Sequence, residues 1–271
     1  MKRFGKLFPV ETWGLNVSKI EKISSIIIAK NEEKNIGRCI ESQMNSIDEI
    51  IVLVDESSTD KTFQIVSSFE KVIAKKTNWK GFAETKKEAL ALTSYNWVFW
   101  IDADEEITKE LSNELRMLKG TDVDFNAYKV ARRAFFLDKW IKHSGWYPGY
   151  VTRFFNKIHS SFDESKVHEG LIVDGEIGLL ENDINHYTDP SIQHYFEKFN
   201  RYTSLAAEDL LKKGRIADIS DIVVRPFFQF FKMYFVRLGF LDGLRGFILA
   251  IFSSAYVFTK YCKLWELNKK S

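Results

Sequence analysis

Asp102 and Asp104 stand one alanine apart at the end of Trp97-Val98-Phe99-Trp100-Ile101-Asp102-Ala103-Asp104-Glu105-Glu106. Side chains alternate along a strand, so the two carboxylates are expected on one face. Like charges placed so closely repel unless a cation or hydrogen-bond donors compensate. A hard divalent cation such as Mg²⁺ or Mn²⁺ answers that need, because it takes one or two carboxylates and completes its shell with phosphate oxygens and water. The plainer alternative is an acidic strand-to-helix turn in which Glu105 and Glu106 favour the start of the next helix.

The elements around this pair decide between the two. Ile23 to Ala29, Ile50 to Val54 and Val72 to Ala74 read as short apolar strands, and a fourth runs from Trp97 to its end at Asp102. Helical patterns lie between them. Asn31 is expected to cap a helix carrying Ile36, Ile40 and Met44, and Ser57 to Asp60 supply cap chemistry for one carrying Ile65, Val66 and Phe69. Gly81 to Leu92 reads as a third helix. Thr108 is expected to cap a fourth, with Leu111, Leu115 and Leu118 on one side and Gly120 as its stop. Strands alternating with helices predict an α/β fold, a mostly parallel sheet covered on both faces. Ligands bind such sheets beyond the carboxyl ends of the strands, where Asn31, Asp55 and Asp102 to Asp104 would gather. Neither a Gly-x-Gly-x-x-Gly nor a Gly-x-x-x-x-Gly-Lys-Ser/Thr follows any strand. Phosphates held here would therefore rely on side chains and a cation, which favours a nucleotide-diphosphate donor.

Composition excludes several classes. Hydrophobic residues make up 45% and charged residues 28% of 271 residues, which is ordinary for a folded chain. A net charge of +2 offers no basic excess for nucleic acid. Cys39 and Cys262 lie far apart without metal spacing, pointing to a reducing compartment. Pro9, Glu11, Thr12 and Gly14 interrupt the first 22 residues, a poor signal peptide, so a cytoplasmic location is expected.

Beyond Asp122 the pattern changes. Ala127 to Phe136 reads as a strand, and an aromatic, glycine-containing segment (Trp140, Trp146, Tyr147, Pro148, Gly149, Tyr150) leads to Arg153-Phe154-Phe155. Trp146 and Tyr147 are candidate sugar-stacking platforms, or anchors of a loop. Asp163, His168 and Glu169 bring carboxylates and an imidazole together. His186 lies alone between Asn185 and Tyr187, as structural histidines do, and is also a candidate metal ligand. From 215 onward the chain is apolar. Arg225-Pro226 is expected to open a helix, with Pro226 at its first position, and a second helix to run from Leu244 to about Leu267. The uncharged stretch Gly246 to Thr259 is shorter than the ~20 residues of a membrane span. A helix pair lying on the membrane surface, basic heads toward anionic lipid, fits the pattern; packing against protein is the alternative. The expected division is an extension over 1–22, a main domain over 23–214 with halves 23–121 and 122–214, and a helical segment over 215–271.

With these residues assembled, the chain resembles the family-two glycosyltransferases of GT-A fold, and among them the lipopolysaccharide core β-1,4-glucosyltransferase group. The resemblance runs through Ile26 to Glu33, Val54-Asp55 with Ser58-Thr59-Asp60, Gly81-Phe82-Ala83, Asp102-Ala103-Asp104-Glu105, Gly145-Trp146-Tyr147-Pro148 and Val167-His168-Glu169. It continues in His186-Tyr187-Thr188, Asn200-Arg201-Tyr202-Thr203, Gly239 to Gly243 and Lys260 to Glu266. It implies that Asn31 and Glu32 line a nucleotide pocket, that Asp55 accepts a hydrogen bond from the base, and that Lys86 reaches the uracil or phosphates. Asp102 would touch the ribose or a metal-bound water, and Asp104 would ligate the cation. One departure stands out: relatives usually carry Asp-Ser-Gly-Ser-Thr-Asp where this chain has Asp55-Glu56-Ser57-Ser58-Thr59-Asp60, without the glycine.

The implied reaction is an inverting, metal-dependent transfer of a hexose, glucose first, from a UDP-sugar to a lipopolysaccharide core or similar surface glycan. A polyprenyl-phosphate acceptor is the runner-up, and a sugar nucleotidyltransferase a more distant one. Glu169 is the first choice for the base that deprotonates the acceptor hydroxyl and Asp163 the second, with His168, Trp146 and Tyr147 on the acceptor side. The expected location is the cytoplasmic face of the inner membrane.

Overall fold

A computed structural model describes residues 18–163 and 170–270 of the chain. In chain order the strands and helices are β1 (Ile23–Ala29), α1 (Ile36–Gln43), β2 (Glu49–Asp55), α2 (Thr62–Val66), β3 (Val72–Thr77), α3 (Phe82–Ala91) and β4 (Trp97–Trp100). There follow β5 (Glu105–Ile107), α4 (Lys109–Leu118), β6 (Ala127–Phe136), β7 (Gly149–Asn156), β8 (Ser160–Phe162), β9 (Leu171–Val173), β10 (Ile177–Leu179) and β11 (Ile184–Asp189). The chain ends in three helices, α5 (Ile192–Lys212), α6 (Ile219–Phe231) and α7 (Leu244–Lys270).

The first four strands pair in parallel in the order β3-β2-β1-β4. Their continuous apolar runs are explained by what covers them. Ile27, Val52, Val54, Trp97 and Phe99 face α1 and α4, meeting Ile36, Cys39, Ile40, Leu111 and Leu115. Ile26, Ile51, Leu53, Val98 and Trp100 face the other way, where Ala89 of α3 and Phe162 close a second layer. Both faces are therefore dry, as parallel sheets require. Thr108 caps α4 by accepting from Leu111 N at 3.2 Å, as its sequence predicts. Cys39 and Cys262 are free thiols.

The sheet then becomes mixed. β7 pairs antiparallel with β4, Phe154 opposite Phe99, and antiparallel with β6 on its other side. β6 pairs in parallel with β11, which pairs antiparallel with β5 and sets His186 opposite Glu105. A strand from late in the chain is thus laid beside the acidic turn of the parallel half.

Two expected caps are corrected. Asn31 does not begin α1: the N-cap position is Asn35, and Asn31 has a left-handed backbone (φ 55°) that ends β1 in a turn. Pro226 does not open α6. That helix begins seven residues earlier at Ile219, where Asp218 accepts from Asp221 N and Asp221 reaches back to Asp218 N, so Pro226 lies inside. The reciprocal acidic cap satisfies two otherwise orphaned amides and outweighs the preference of proline for the first turn.

The helices attach firmly to the sheet. Phe136, at the end of β6, is buried with Ile141 against Met233, Leu249 and Ala250. Ala207 of α5 packs with Tyr261 and Leu264 of α7. The opposite surfaces stay bare, with Phe227 75% and Leu244 71% exposed. By length and composition α7 is able to cross a membrane.

Candidate active site

The site is built where β1, β2 and β4 end. The loops after β1 and β2 are laced together. Asn31 Oδ1 accepts from Thr59 N at 2.8 Å, Glu32 N donates to Thr62 Oγ1 at 2.7 Å, and Glu33 N donates to Asp60 Oδ2 at 3.0 Å. The left-handed turn at Asn31 is one that asparagine tolerates better than most residues. Asp55 takes hydrogen bonds from Ser57 N and Ser57 Oγ, each at 2.8 Å, and pairs with Lys30 at 2.9 Å. The Ser57 amide and then Lys30 hold its carboxyl below the ordinary range. Ser57 is not among the described residues with positive φ, so the turn closes without the glycine usual in relatives. Glu32 sits partly buried; burial raises its pKa, Asn35 Nδ2 opposes that as a donor at 2.9 Å, and nearby Asp104 adds to the rise.

Strand β4 stops at Trp100, and Asp102 to Glu105 form a turn in which Glu105 N donates to Asp102 O at 2.9 Å. Strand alternation therefore does not govern the two aspartates. Asp102 receives Trp100 Nε1 at 3.2 Å and the Arg153 guanidinium, so both carboxylate oxygens are engaged. The same Arg153 nitrogen reaches Glu105 Oε1 at 2.8 Å, and Glu105 Oε2 accepts from Asp102 N at 3.0 Å. Arg153 and Lys86 both lie against the Trp100 ring, 4.1 and 3.9 Å from its centroid. Burial works against the Asp102 carboxylate, yet Arg153 and Lys86 overcome it and its pKa falls below normal. Glu105 is fully buried; burial outweighs Arg153, and its pKa rises.

Asp104 turns elsewhere, to His186 Nε2, 3.4 Å from its Oδ2. Burial lowers the His186 pKa, but the hydrogen bond and charge of Asp104 more than reverse it. These two side chains, each about one-fifth exposed, could offer a carboxylate oxygen and an imidazole nitrogen to a divalent cation. Among the described residues no cluster of three or more His, Cys, Asp or Glu side chains encloses a metal. An oxygen and an imidazole nitrogen suit Mn²⁺ or Mg²⁺ when phosphates and water complete the shell. Asp102 is more exposed, at 36%, but has both oxygens taken by Trp100 and Arg153.

The other expected residues separate. Tyr147 donates to Asp183 Oδ2 at 3.2 Å and packs edge-on to Trp140, with ring centroids 5.2 Å apart. Trp146 instead packs against Phe136, under the helices. Lys86 is buried beside Trp100, so its ammonium is carried on an aromatic face instead of in solvent. Asp163 follows β8, its amide donating to Gly170 O at 2.9 Å. His168 and Glu169 lie outside the described residues. Sequence reasoning passed over Arg153 and Glu105 as site residues. The signal was available: a lone arginine between Val151 and Phe154 in an apolar strand demands a buried anionic partner.

Residues 24–171 match the family described as glycosyl transferase family 2. A relative from Rickettsia conorii, named an uncharacterized glycosyltransferase, is 33% identical over 95% of this chain and 94% of its own. The lipopolysaccharide core biosynthesis glycosyltransferase LpsC of Rhizobium meliloti is 30% identical over 90% of this chain and 92% of its own. Among solved structures, the mannosyltransferase PcManGT of Pyrobaculum calidifontis, in complex with GDP-Man and Mn²⁺, superposes with a TM-score of 0.55 at 12% identity, covering 92% of this chain and 88% of that one. That last likeness is one of fold.

Proposed function

The chain belongs to glycosyl transferase family 2 and has the GT-A type of fold, and from that premise we propose that it is an inverting, divalent-cation-dependent hexosyltransferase. Its donor is a nucleotide-diphosphate sugar, UDP-glucose first. Its acceptor is a lipopolysaccharide core or related surface glycan, a reading that the name of the LpsC relative supports. The observation that carries the proposal is the meeting of Asp104 and His186 beyond the carboxyl ends of the parallel strands, beside the laced loops of Asn31, Glu32 and Asp55.

In this reading Asp55 accepts from the base, Asn31 and Glu32 line the nucleotide pocket, and Lys86 adds positive charge on the phosphate side. Asp102 faces the ribose while held by Arg153. Asp104 and His186 would hold the cation, which neutralises charge on the departing diphosphate. Glu169, or in its place Asp163, takes the proton from the acceptor hydroxyl. The hydroxyl oxygen then bonds to the anomeric carbon as the bond from that carbon to the phosphate oxygen breaks. The nucleoside diphosphate leaves with the electron pair, and the sugar's configuration inverts. Tyr147 and His168 face the acceptor.

The bare apolar surfaces of α6 and α7 support a location at the cytoplasmic face of the inner membrane, with those helices lying on the bilayer. A surface arrangement suits α7 better than a span, because Leu249, Ala250, Tyr261 and Leu264 are held by the sheet, α5 and α6.

Incubation of the full chain with UDP-sugars, Mn²⁺ and rough-type lipopolysaccharide tests this reading. Release of UDP that depends on sugar, metal and acceptor is expected. Release with a polyprenyl phosphate alone would redirect the acceptor assignment, and no release with any donor would remove the proposal.

A further inference from the structure

Ser144, Gly145 and Trp146 form one wall of a cavity of about 290 Å³, and Gln229, Lys232, Met233, Arg237 and Ser253 form the rest. It lies at the elbow between α6 and α7, away from Asp104 and His186. Three features mark it as a built site. The Ser144 hydroxyl is buried at 4% residue exposure and has no hydrogen-bond partner, although its backbone is fixed by Ser144 N donating to Arg237 O at 2.8 Å. A buried hydroxyl left unpaired costs free energy, so it calls for a polar guest. Ser144 and Gly145 both have left-handed backbones (φ 60° and 77°), and a Cβ on Gly145 would lie 2.4 Å from an Arg237 guanidinium nitrogen. A Cβ on Gly239 would lie 2.7 Å from Ser144 Oγ. Glycine at both positions keeps the cradle open. Finally, Lys232 to Val236 is a π-turn, a backbone widening often found at functional positions.

The charge of the cavity is one-sided. Lys232 and Arg237 have no carboxylate partner among the described residues. The nearest acid of the loop, Asp242, is committed to the Lys142 and His143 amides at 3.1 and 3.0 Å and to His143 Nδ1 at 3.1 Å. Two cations, a free hydroxyl and a carboxamide suit a phosphate group. The chain on either side is apolar and exposed: Phe231, Phe235, Val236, Leu241 and Leu244. Such a collar places the phosphate at the depth of a lipid headgroup, with the side chains entering the acyl boundary.

We propose that this cavity binds the phosphate of an anionic phospholipid and fixes the α6–α7 elbow on the bilayer. The inference rests on the membrane reading above and adds to it a discrete headgroup site.

Flotation of the purified chain with phosphatidylglycerol vesicles and with phosphatidylcholine vesicles tests it, using Lys232→Gln, Lys232→Gln/Arg237→Gln and the apolar control Phe227→Ser/Phe231→Ser. Wild type should partition onto phosphatidylglycerol vesicles, and the double glutamine variant should lose about thirty-fold, at roughly 1 kcal/mol per basic residue near the surface. The single Lys232 variant should lose about five-fold on the same basis, which keeps the test valid if Arg237 proves necessary for folding. Trp146 fluorescence should respond to glycerol 1-phosphate in wild type and not in Lys232→Gln. Equal vesicle binding by wild type and both glutamine variants, with loss only in the apolar control, would overturn the headgroup site and leave the membrane reading standing. Failure of wild type to bind either vesicle would overturn both. A Trp146 response without vesicle binding would mark a soluble phosphate ligand and likewise overturn the lipid assignment.

Discussion

Arg153 and Glu105 form a buried ion pair at 2.8 Å, the arginine 3% and the glutamate 0% exposed, and the same guanidinium nitrogen reaches Asp102. The positive charge that makes the first aspartate of the Asp102-Ala103-Asp104 turn tolerable is therefore supplied by the protein. The second aspartate is left to His186 and to whatever enters the crevice.

Removing one partner of that pair should strand the other. Arg153→Met is expected to destabilise the fold by about 3 kcal/mol, because Glu105 keeps its burial, loses its hydrogen-bonded counter-charge and is left with only the Arg132 guanidinium 3.9 Å away. Adding Glu105→Gln should restore much of the loss. Urea midpoints of the single and double variants measure this; a double variant no more stable than the single would refute the buried-pair account.

Asp104→Asn and His186→Ala should each weaken the stabilisation that UDP-glucose with Mn²⁺ confers. Ligand at one hundred times its Kd stabilises by about 2.7 kcal/mol, which a thermal shift resolves. Asp102→Asn should retain Mn²⁺ binding better than Asp104→Asn, because Asp102 spends its oxygens on Arg153 and Trp100. Equal losses in metal titrations of the two variants would reverse that assignment.

Glu169→Gln should lower the transfer rate by about a hundred-fold or more while leaving donor affinity in place, as expected when a general base is removed. A normal rate would pass the role to Asp163, to be checked with Asp163→Asn in the same assay.

Asp221 supplies a pH dependence of stability. Burial opposes its ionisation, but Arg225, the Asp218 amide and Arg215 outweigh it and lower its pKa. A carboxylate with a depressed folded-state pKa stabilises fully above the unfolded value of about 3.9 and loses that contribution as pH falls through the folded value. Asp221→Asn should thus be less stable than wild type by a constant amount above pH of about 4, and the gap should close as pH falls below that, so that its acid limb is the shallower one. Identical acid limbs would show that Asp221 does not take part.

Much of this was legible in the chain itself. The succession of apolar runs from β1 to β4, the Thr108 cap and the placement of Asn31, Asp55 and Asp102 at strand ends follow from local periodicity and cap chemistry, which act over a few residues. Two local signals competed at α6, and the Asp218–Asp221 cap prevailed over Pro226. The expected common face of Asp102 and Asp104 failed for a similar reason, since β4 ends at Trp100 and alternation stops where pairing stops.

The sequence by itself determined the alternation of strands and helices, and with it the edge at which a ligand must sit, because hydrophobic period and parallel pairing leave little choice. Only the tertiary structure decided which charges meet there. Arg153 comes to Asp102 because β7 pairs with β4, and His186 comes to Asp104 because β11 lies between β6 and β5. Those pairings join residues far apart in the chain through sheet register, which no local pattern encodes.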